Sequence, residues 1–465
     1  MHRSSLLAMA GVVFAALSLA ACTDDPRSAP SLTGPELVAL TSSSASGTAA
    51  ADVALVQQLA AERGVIALPA RPFVRPQLVR LGQALMFDPI LSGNKDIACG
   101  TCHFPTLGTG DGRSLPIGQG GANVGPNRSH PLGTFIPRNA PPLFNLAAMK
   151  HLFWDGRIEQ NGATLTTPAG HQVTSAMNGT FEFGAISAIG MFPVTNRAEM
   201  RAGSGNELAA LPDSNVQDIW AALMKRLGAI PEYRAMFENA YPGTKFDNMT
   251  FAHASNAIGG FIVDSYSLAN TPWDRFLAGH DDALSPRQLE GAKTFLTLKC
   301  SICHTGATLS DDQFHNVAVA QIGPGEGNGT GLNDDFGRMN VTGNPADIYK
   351  FRTTPLRNVE FTAPYGHDGS VLSLRSFVEH YSESDLKLVA FNPFGLEPGL
   401  RGTLLNNQGA IIAQRDPIIV GVVLTDDLVA KLMDYMTALS DPAVRDLSKT
   451  VPNHLPSRLP VQRPM

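Results

Sequence analysis

Cysteine and tryptophan are scarce in this chain, with five and three copies in 465 residues. So few cysteines exclude a disulfide framework as the main source of stability. Charge is also sparse, at 16% of residues with a formal net charge of −6. That balance offers no basic stripe to nucleic acid and no reason to expect a polyanionic partner. The longest apolar run, LLAMAGVVFAALSLAA, covers only residues 6 to 21, too short and too close to the terminus for a transmembrane span. Glycine (44) and proline (33) are abundant instead, which predicts long irregular loops. A 43% hydrophobic content still supplies a packed core, and the length allows two or three domains.

The short basic start MHRSS followed by that apolar run reads as a signal peptide over residues 1–22. It ends in LAAC, which resembles a bacterial lipobox and makes Cys22 the expected lipidated first residue. An ordinary cleaved signal with an incidental thiol is the alternative. By the same resemblance, Thr23 directs the anchor to the outer membrane of a Gram-negative-type bacterium, facing the periplasm. Residues 23–52 are small, polar and low in aromatics, the composition of a flexible tether.

The other four cysteines form the same pattern twice. Cys99, Cys102 and His103 make one C-x-x-C-H, and Cys300, Cys303 and His304 make the other. In each, two thiols can add to haem vinyl groups while the histidine ligates the iron. Composition alone would produce one such pattern by chance on the order of once in a thousand chains. A zinc site would pair the two C-x-x-C units, yet each has its own adjacent histidine. Two covalently bound haem c groups are therefore expected, and export to the periplasm is consistent with their attachment.

An amphipathic segment leads into each motif. PQLVRLGQALMF places Leu78, Leu81 and Leu85 on one stripe. SPRQLEGAKTFLTL has Ser285 as N-cap, Pro286 at the first helical position and Leu289, Ala292 and Leu296 on one face. Other helical stretches are VQDIWAALMKRLG, PEYRAMFENAY and FAHASNAIGGFIVDSYSLAN between the motifs, with SLRSFVEHY and TDDLVAKLMDYMTALSD after the second. Only IIVGVV, at 418–423, has strand character. The expected fold is mainly α, with two cytochrome c-like haem domains and long loops. Residues 53–275 form the N-terminal haem domain, 276–445 the C-terminal one, and 446–465 a proline-rich tail extended along the surface.

Several phrases in order, LGQALMFDPILSG, CGTCHFP, RNAPPLFN, FWDGR, FPVTNRAEMR, FRTTPLRNVEFTAPYGHDGS and SLRSFVEHY, resemble the bacterial dihaem cytochrome c peroxidase family that includes the MauG-type enzymes. They span about residues 78 to 440. The resemblance implies a peroxide-reacting N-terminal haem and an electron-relaying C-terminal haem. Such chemistry needs one iron with an exchangeable position and a nearby proton carrier. Glu199 matches the family's acid–base carboxylate over the first haem, and Trp154 its tryptophan between the haems. Asn139, Thr362 and Pro364 match a calcium site of one side-chain oxygen, two carbonyls and waters.

The remaining axial ligands separate the subgroups. Counting from PYGHDG, the sixth-ligand position of the second haem falls on Tyr381, as in MauG-type enzymes, where the peroxidases carry methionine. Leu374, Phe377, Val378 and Tyr381 share a stripe that His380 leaves by about 100°. A buried core tyrosine, with Met339 or His380 as ligand, is the alternative; His367 more plausibly supports the haem pocket. On the distal side of the first haem, aligning on IGQG puts Gln119 where many peroxidases carry a blocking histidine. Aligning by distance from Asn139 brings His130 within one residue of that place. Both stay open. The inserted segment TTPAGHQVTSAMNGTFEFGAISAIG, including His171, has no assigned role.

The first reading is a peroxidase reducing hydrogen peroxide with electrons from a small cytochrome c or cupredoxin. The second is a MauG-like oxidase that uses peroxide-derived high-valent haem to modify a partner protein. The third is a non-enzymatic dihaem electron carrier. Membrane contact is expected only through the lipid anchor, and the family resemblance leaves a homodimer open.

Overall fold

Two helices lead into the motifs, and each is built as its sequence suggested. The first, Pro76–Phe87, buries Leu78, Leu81 and Leu85 completely. The second, Pro286–Thr297, opens with a capping box: the Gln288 backbone N–H donates to Ser285 Oγ (3.3 Å) and the Ser285 N–H donates to Gln288 Oε1 (3.0 Å). Pro286 occupies its first turn, where a missing N–H costs nothing. The computed structural model that shows these elements describes residues 49 to 464. The signal peptide, Cys22 and most of the tether lie outside the described residues.

Each motif-leading helix crosses a longer partner at a glycine. Pro76–Phe87 lies on Phe251–Tyr266, and a Cβ on Gly82 would fall 1.9 Å from the Ala257 carbonyl oxygen. Pro286–Thr297 lies on Asp426–Ala438, where a Cβ on Gly291 would meet the Lys431 carbonyl oxygen at 2.2 Å. Any side chain there would push the two backbones apart.

Two large hydrophobic clusters result, with two small ones beside them. The first gathers the Pro76–Phe87, Val216–Gly228, Pro231–Ala240 and Phe251–Tyr266 helices, with Trp220, Phe237 and Phe261 at its centre. The second gathers Trp273, Phe276, Phe295, Leu432 and Tyr435. The two ends of the described residues exchange cores. The helix Ala49–Glu62 packs Val56 and Ala60 into the second cluster, so residues 49–52, expected in the tether, are helical instead. Conversely, the tail expected to lie extended on the surface buries Val451 and Leu455 against the first cluster. Its apolar residues alternate with prolines, a spacing that hides their inward face from periodicity.

Strands are few and short, in keeping with a mainly α fold. One antiparallel sheet joins His151–Leu152, Ile158–Asn161 and Thr164–Thr166, pairing Leu152 with Ile158 and Gln160 with Leu165. The other pairs Phe314–His315 with Phe351–Arg352. The run IIVGVV is not a strand: Asp416 Oδ1 accepts from the Ile418 N–H (2.9 Å) and caps a 3-10 turn, Pro417–Ile419, leaving Val420 and Val423 exposed. Among the described residues no helix is long and apolar enough to cross a membrane.

Candidate active site at the seam of two cores

Each C-x-x-C-H motif is a single helical turn, Cys99–Cys102 and Cys300–Cys303, capped by its histidine. The imidazoles are oriented identically. His103 Nδ1 lies 3.0 Å from the Thr109 carbonyl oxygen, and His304 Nδ1 lies 3.0 Å from the Leu309 carbonyl oxygen. A carbonyl can only accept, so Nδ1 carries the proton and Nε2 keeps its lone pair. Burial holds both imidazoles below their ordinary pKa, in the neutral form that a metal ligand requires. Burial also pushes the Cys99 and Cys300 thiols up to about 12. Two thiols, one oriented imidazole and this spacing, found twice, fit two haem c groups.

The exchanged termini brace these turns. Thr101, inside the first motif, donates to Gln462 Oε1 of the tail (2.5 Å), while Gln462 Nε2 donates to the Asp96 carbonyl (2.8 Å). After the second motif, the Gly306 N–H donates to the Gly64 carbonyl (3.2 Å) and Thr305 Oγ1 to the Arg63 carbonyl.

Glu199 sits in a single π-helical turn, Arg197–Arg201, a local widening often found at functional sites. Asn196 caps it, its Oδ1 accepting from the N–H groups of Ala198 (2.8 Å) and Glu199 (3.1 Å). Glu199 is close enough to the first motif for its charge to act on Cys99 and Cys102, raising the pKa of both after the larger effect of burial. Desolvation pushes the Glu199 carboxyl above its ordinary range, against the pull of Arg157 and with the push of Glu326. Gln119 lies alongside: its N–H donates to the Glu199 carbonyl (3.0 Å), and its Oε1 accepts from Asn94 (2.8 Å). His130 is held by its own loop, with Nδ1 accepting from the Leu132 N–H (3.0 Å) and near Thr134 Oγ1 (2.8 Å). In the neutral ring that bond puts the proton on Nε2, which then has no lone pair for a metal.

At the second motif the structure separates two adjacent residues. Tyr381 caps the helix Leu374–His380; burial raises its pKa, and it lies close enough to Cys303 and Cys300 for their charges to raise it further. His380 points elsewhere: it is buried, and its Nε2 donates to the Val317 carbonyl (2.7 Å). His367 is stacked on Phe351 with ring centroids 3.7 Å apart, a packing role. Met339 is half-buried at the start of the short helix Met339–Thr342.

Trp154 is buried where the two halves meet. Its Nε1 donates to the Asn139 carbonyl (2.8 Å), and its own carbonyl accepts from the Arg352 N–H (2.9 Å) of the second half. Asn139 Nδ2 donates to the carbonyls of Arg113 (2.9 Å) and Ser114 (3.1 Å). Arg113, Ser114, Ala363, Pro364 and Glu397 line one cleft there, and Thr362, its hydroxyl donating to the Val359 carbonyl (3.1 Å), precedes that wall.

Two features at the seam escaped the sequence reading. Arg138 donates to Asp335 through Nε (2.7 Å) and Nη2 (2.8 Å), and to Asp155 through Nη1 (2.6 Å), so one guanidinium joins both halves. His315 is clamped between Asp311 (3.0 Å) and Asp416 (2.6 Å) beside Cys303, and Asp311, then Cys303 and Asp416, push its pKa up to about 11. Arg138 and Asp155 lay inside quoted phrases, RNAP and FWDGR, but partners 197 residues apart leave no periodic signal.

The family described as di-haem cytochrome c peroxidase matches residues 76–282. The methylamine utilization protein MauG of Methylorubrum extorquens is 30% identical over 351 residues, covering 74% of this chain and 80% of that one. The cytochrome c551 peroxidase of Pseudomonas aeruginosa is 29% identical over 314 residues, covering 66% of this chain and 71% of that one. Among solved structures, a MauG-like protein associated with microbial copper homeostasis superposes with a TM-score of 0.58 at 25% identity, covering 84% of this chain and 97% of that one. The chain belongs to the dihaem cytochrome c peroxidase/MauG family. It is accordingly a peroxidase-type oxidoreductase with haem c cofactors.

Proposed function

We propose that this protein reduces hydrogen peroxide at the Cys99–His103 motif, with electrons relayed from the Cys300–His304 motif and supplied by a small cytochrome c or cupredoxin. The observation that carries this reading is Glu199, whose backbone turn is capped by Asn196 and whose carboxyl, raised by desolvation, lies within electrostatic reach of Cys99 and Cys102. Haem c held by Cys99, Cys102 and His103 would supply the iron for peroxide, and that held by Cys300, Cys303 and His304 an electron store. Glu199 takes a proton from one peroxide oxygen and returns it to the other, so that the O–O bond breaks with water as leaving group. Two electrons and two protons complete the reduction to two waters. The Trp154 indole, its Nε1 bonded to the Asn139 carbonyl at the seam, would pass those electrons between the halves. A calcium ion held by Asn139, Thr362 and Pro364 would rigidify this seam, where Asn139 Nδ2 donates to the Ser114 carbonyl. The lipid anchor at Cys22 would keep the enzyme in the periplasm, at the outer membrane.

A second reading, a MauG-like oxidase acting on a partner protein, is favoured by two observations. Tyr381 lies within electrostatic reach of Cys303 and Cys300, whereas His380 is bonded to the Val317 carbonyl. On the first side Gln119 lies next to Glu199, while His130 is tied to its own loop. Stopped-flow absorption of the fully ferric protein with stoichiometric peroxide and no reductant separates the possibilities. A rapid spectral change is the MauG-like result. Reaction only after one electron is added is the switched-peroxidase result, and inertness in both states would leave an electron carrier.

The ligand assignment is tested separately. Tyr381→Met is expected to raise the reduction potential of one haem by on the order of 100 mV, because a thioether favours ferrous iron where phenolate favours ferric. His380→Gln should leave both potentials in place, as read by spectroelectrochemical titration.

A further inference from the structure

We propose that the C-terminal tail is a strap that closes the first haem-attachment turn to redox partners, so that an outside donor reaches that half only through the other. The inference rests on the proposed reading of an electron donor that acts through the second half. Its starting point is a difference between two equivalent positions. Thr101 and Ile302 hold the same place in C-G-T-C-H and C-S-I-C-H, yet Thr101 is 1% exposed and Ile302 46%. Both lie in single helical turns, Cys99–Cys102 and Cys300–Cys303, so the difference comes from what covers them. The tail covers the first. Gln462 holds that turn through Thr101 and the Asp96 carbonyl, and Leu459 and Val461 pack against the first core. Beyond them the tail reaches Gly125, where an added Cβ would lie 3.9 Å from Pro464 Cβ. At the second turn, the segment after the helix Ala49–Glu62 bonds Thr305 and Gly306, past the histidine, and leaves Ile302 open.

The sequence explains how a segment without helix or strand keeps this place. Pro452, Pro456, Pro460 and Pro464 recur at every fourth position. Each removes a backbone N–H and fixes φ, so the tail cannot build a ladder of its own and side chains must attach it. Ser457 Oγ donates to Asp88 Oδ1 (2.7 Å), a fully buried carboxyl whose other oxygen accepts from Tyr233 Oη (2.7 Å). Arg458 turns the chain at that point, with φ at +61° and its N–H donating to the Leu455 carbonyl (2.9 Å). Arg463 Nη2 then donates to the Pro452 carbonyl (3.0 Å), closing the tail on itself. Residues up to Leu459 thus anchor the tail, and those from Pro460 onward form the cover. The rate of electron transfer falls exponentially with separation, so one thickness of chain between a donor and the first turn suppresses direct reduction there.

The test removes residues 460–465 from the holoprotein, which leaves Ser457 on Asp88 and Leu455 in the core. Amide exchange should rise over residues 97–102 and stay unchanged over 298–303. A small ferrous c-type cytochrome then serves as donor. Each electron it passes to a ferric haem leaves one donor iron ferric, and rapid-freeze EPR follows the two ferric signals separately. In the full-length protein, the rate at the Cys99–His103 haem should level off with donor concentration, because transfer between the halves limits it. In the truncated protein that rate should grow in proportion to donor and pass the plateau by about tenfold or more. Gln462→Ala should move both readouts the same way by a smaller amount. Proportional growth already in the full-length protein, a plateau that survives truncation, or unchanged exchange over 97–102 would each overturn the proposal. Peroxide takes no part, so loss of the Glu199 assignment leaves these results standing. A cytochrome that reduces neither haem would remove the donor from the proposed function, while exchange, which needs no donor, still decides the strap.

Discussion

Glu199→Gln is expected to slow the reaction with hydrogen peroxide by about 10²- to 10⁴-fold, the usual worth of a placed general acid–base. The amide matches the carboxyl in size, and the bonds from Asn196 to the backbone of the turn involve no side-chain atom of residue 199. Folding and haem content should therefore survive, and only proton transfer should be lost. Gln119, the neighbouring polar side chain, cannot substitute, because an amide neither takes nor gives a proton near neutrality. The wild-type rate should also fall as pH drops through the raised pKa of Glu199, since the acceptor is its carboxylate. That limb should lie above the range of an exposed glutamate. Stopped-flow rates across pH measure both effects; a variant within about threefold of wild type would sink the assignment.

Arg138→Leu should destabilise the fold by about 3–5 kcal/mol, the cost of leaving buried charge unpaired. The side chains of Arg138, Asp155 and Asp335 are only 6%, 5% and 5% exposed, so water cannot replace the missing guanidinium. The pH dependence has a definite sign. Asp155 is pulled from 3.8 to about 2 in the folded protein, chiefly by Arg138 and then Arg157 working against desolvation. A depressed carboxyl contributes stability that is complete above its unfolded pKa and is lost as pH falls through the folded one. The gap between wild type and variant should be full at neutrality and narrow between pH 3.8 and about 2. Denaturant midpoints of the two proteins at several pH values check this. A gap that stays constant into acid would mean that Arg138 acts by packing alone.

What could be read from sequence was local. The C-x-x-C-H turns, the Ser285 capping box and the leucine stripes each complete their chemistry within a few residues, so their geometry follows from composition and spacing. Helical phase put Leu374, Phe377, Val378 and Tyr381 on one inward stripe, yet the buried residue of that helix is His380, because its imidazole bonds the Val317 carbonyl 63 residues away, a partner that periodicity does not show. The tail shows the limit. Val451 and Leu455 looked like parts of an extended surface segment, because without helical or strand period nothing marks which side of a proline-rich chain is inward.

By itself, the sequence determined that this chain carries two haem-attachment turns, each led by an amphipathic helix, and an acid–base candidate at Glu199. Only the tertiary structure decided how the halves cooperate. The termini cross to the opposite cores, Trp154 is pinned at the seam, and Arg138 reaches Asp335 across 197 residues of chain. Glu326 comes within reach of Arg138 and Arg157 through the same closure. Charge pairing of this kind depends on distance in space and on exclusion of water. Neither quantity is written in the order of residues until the two cores pack.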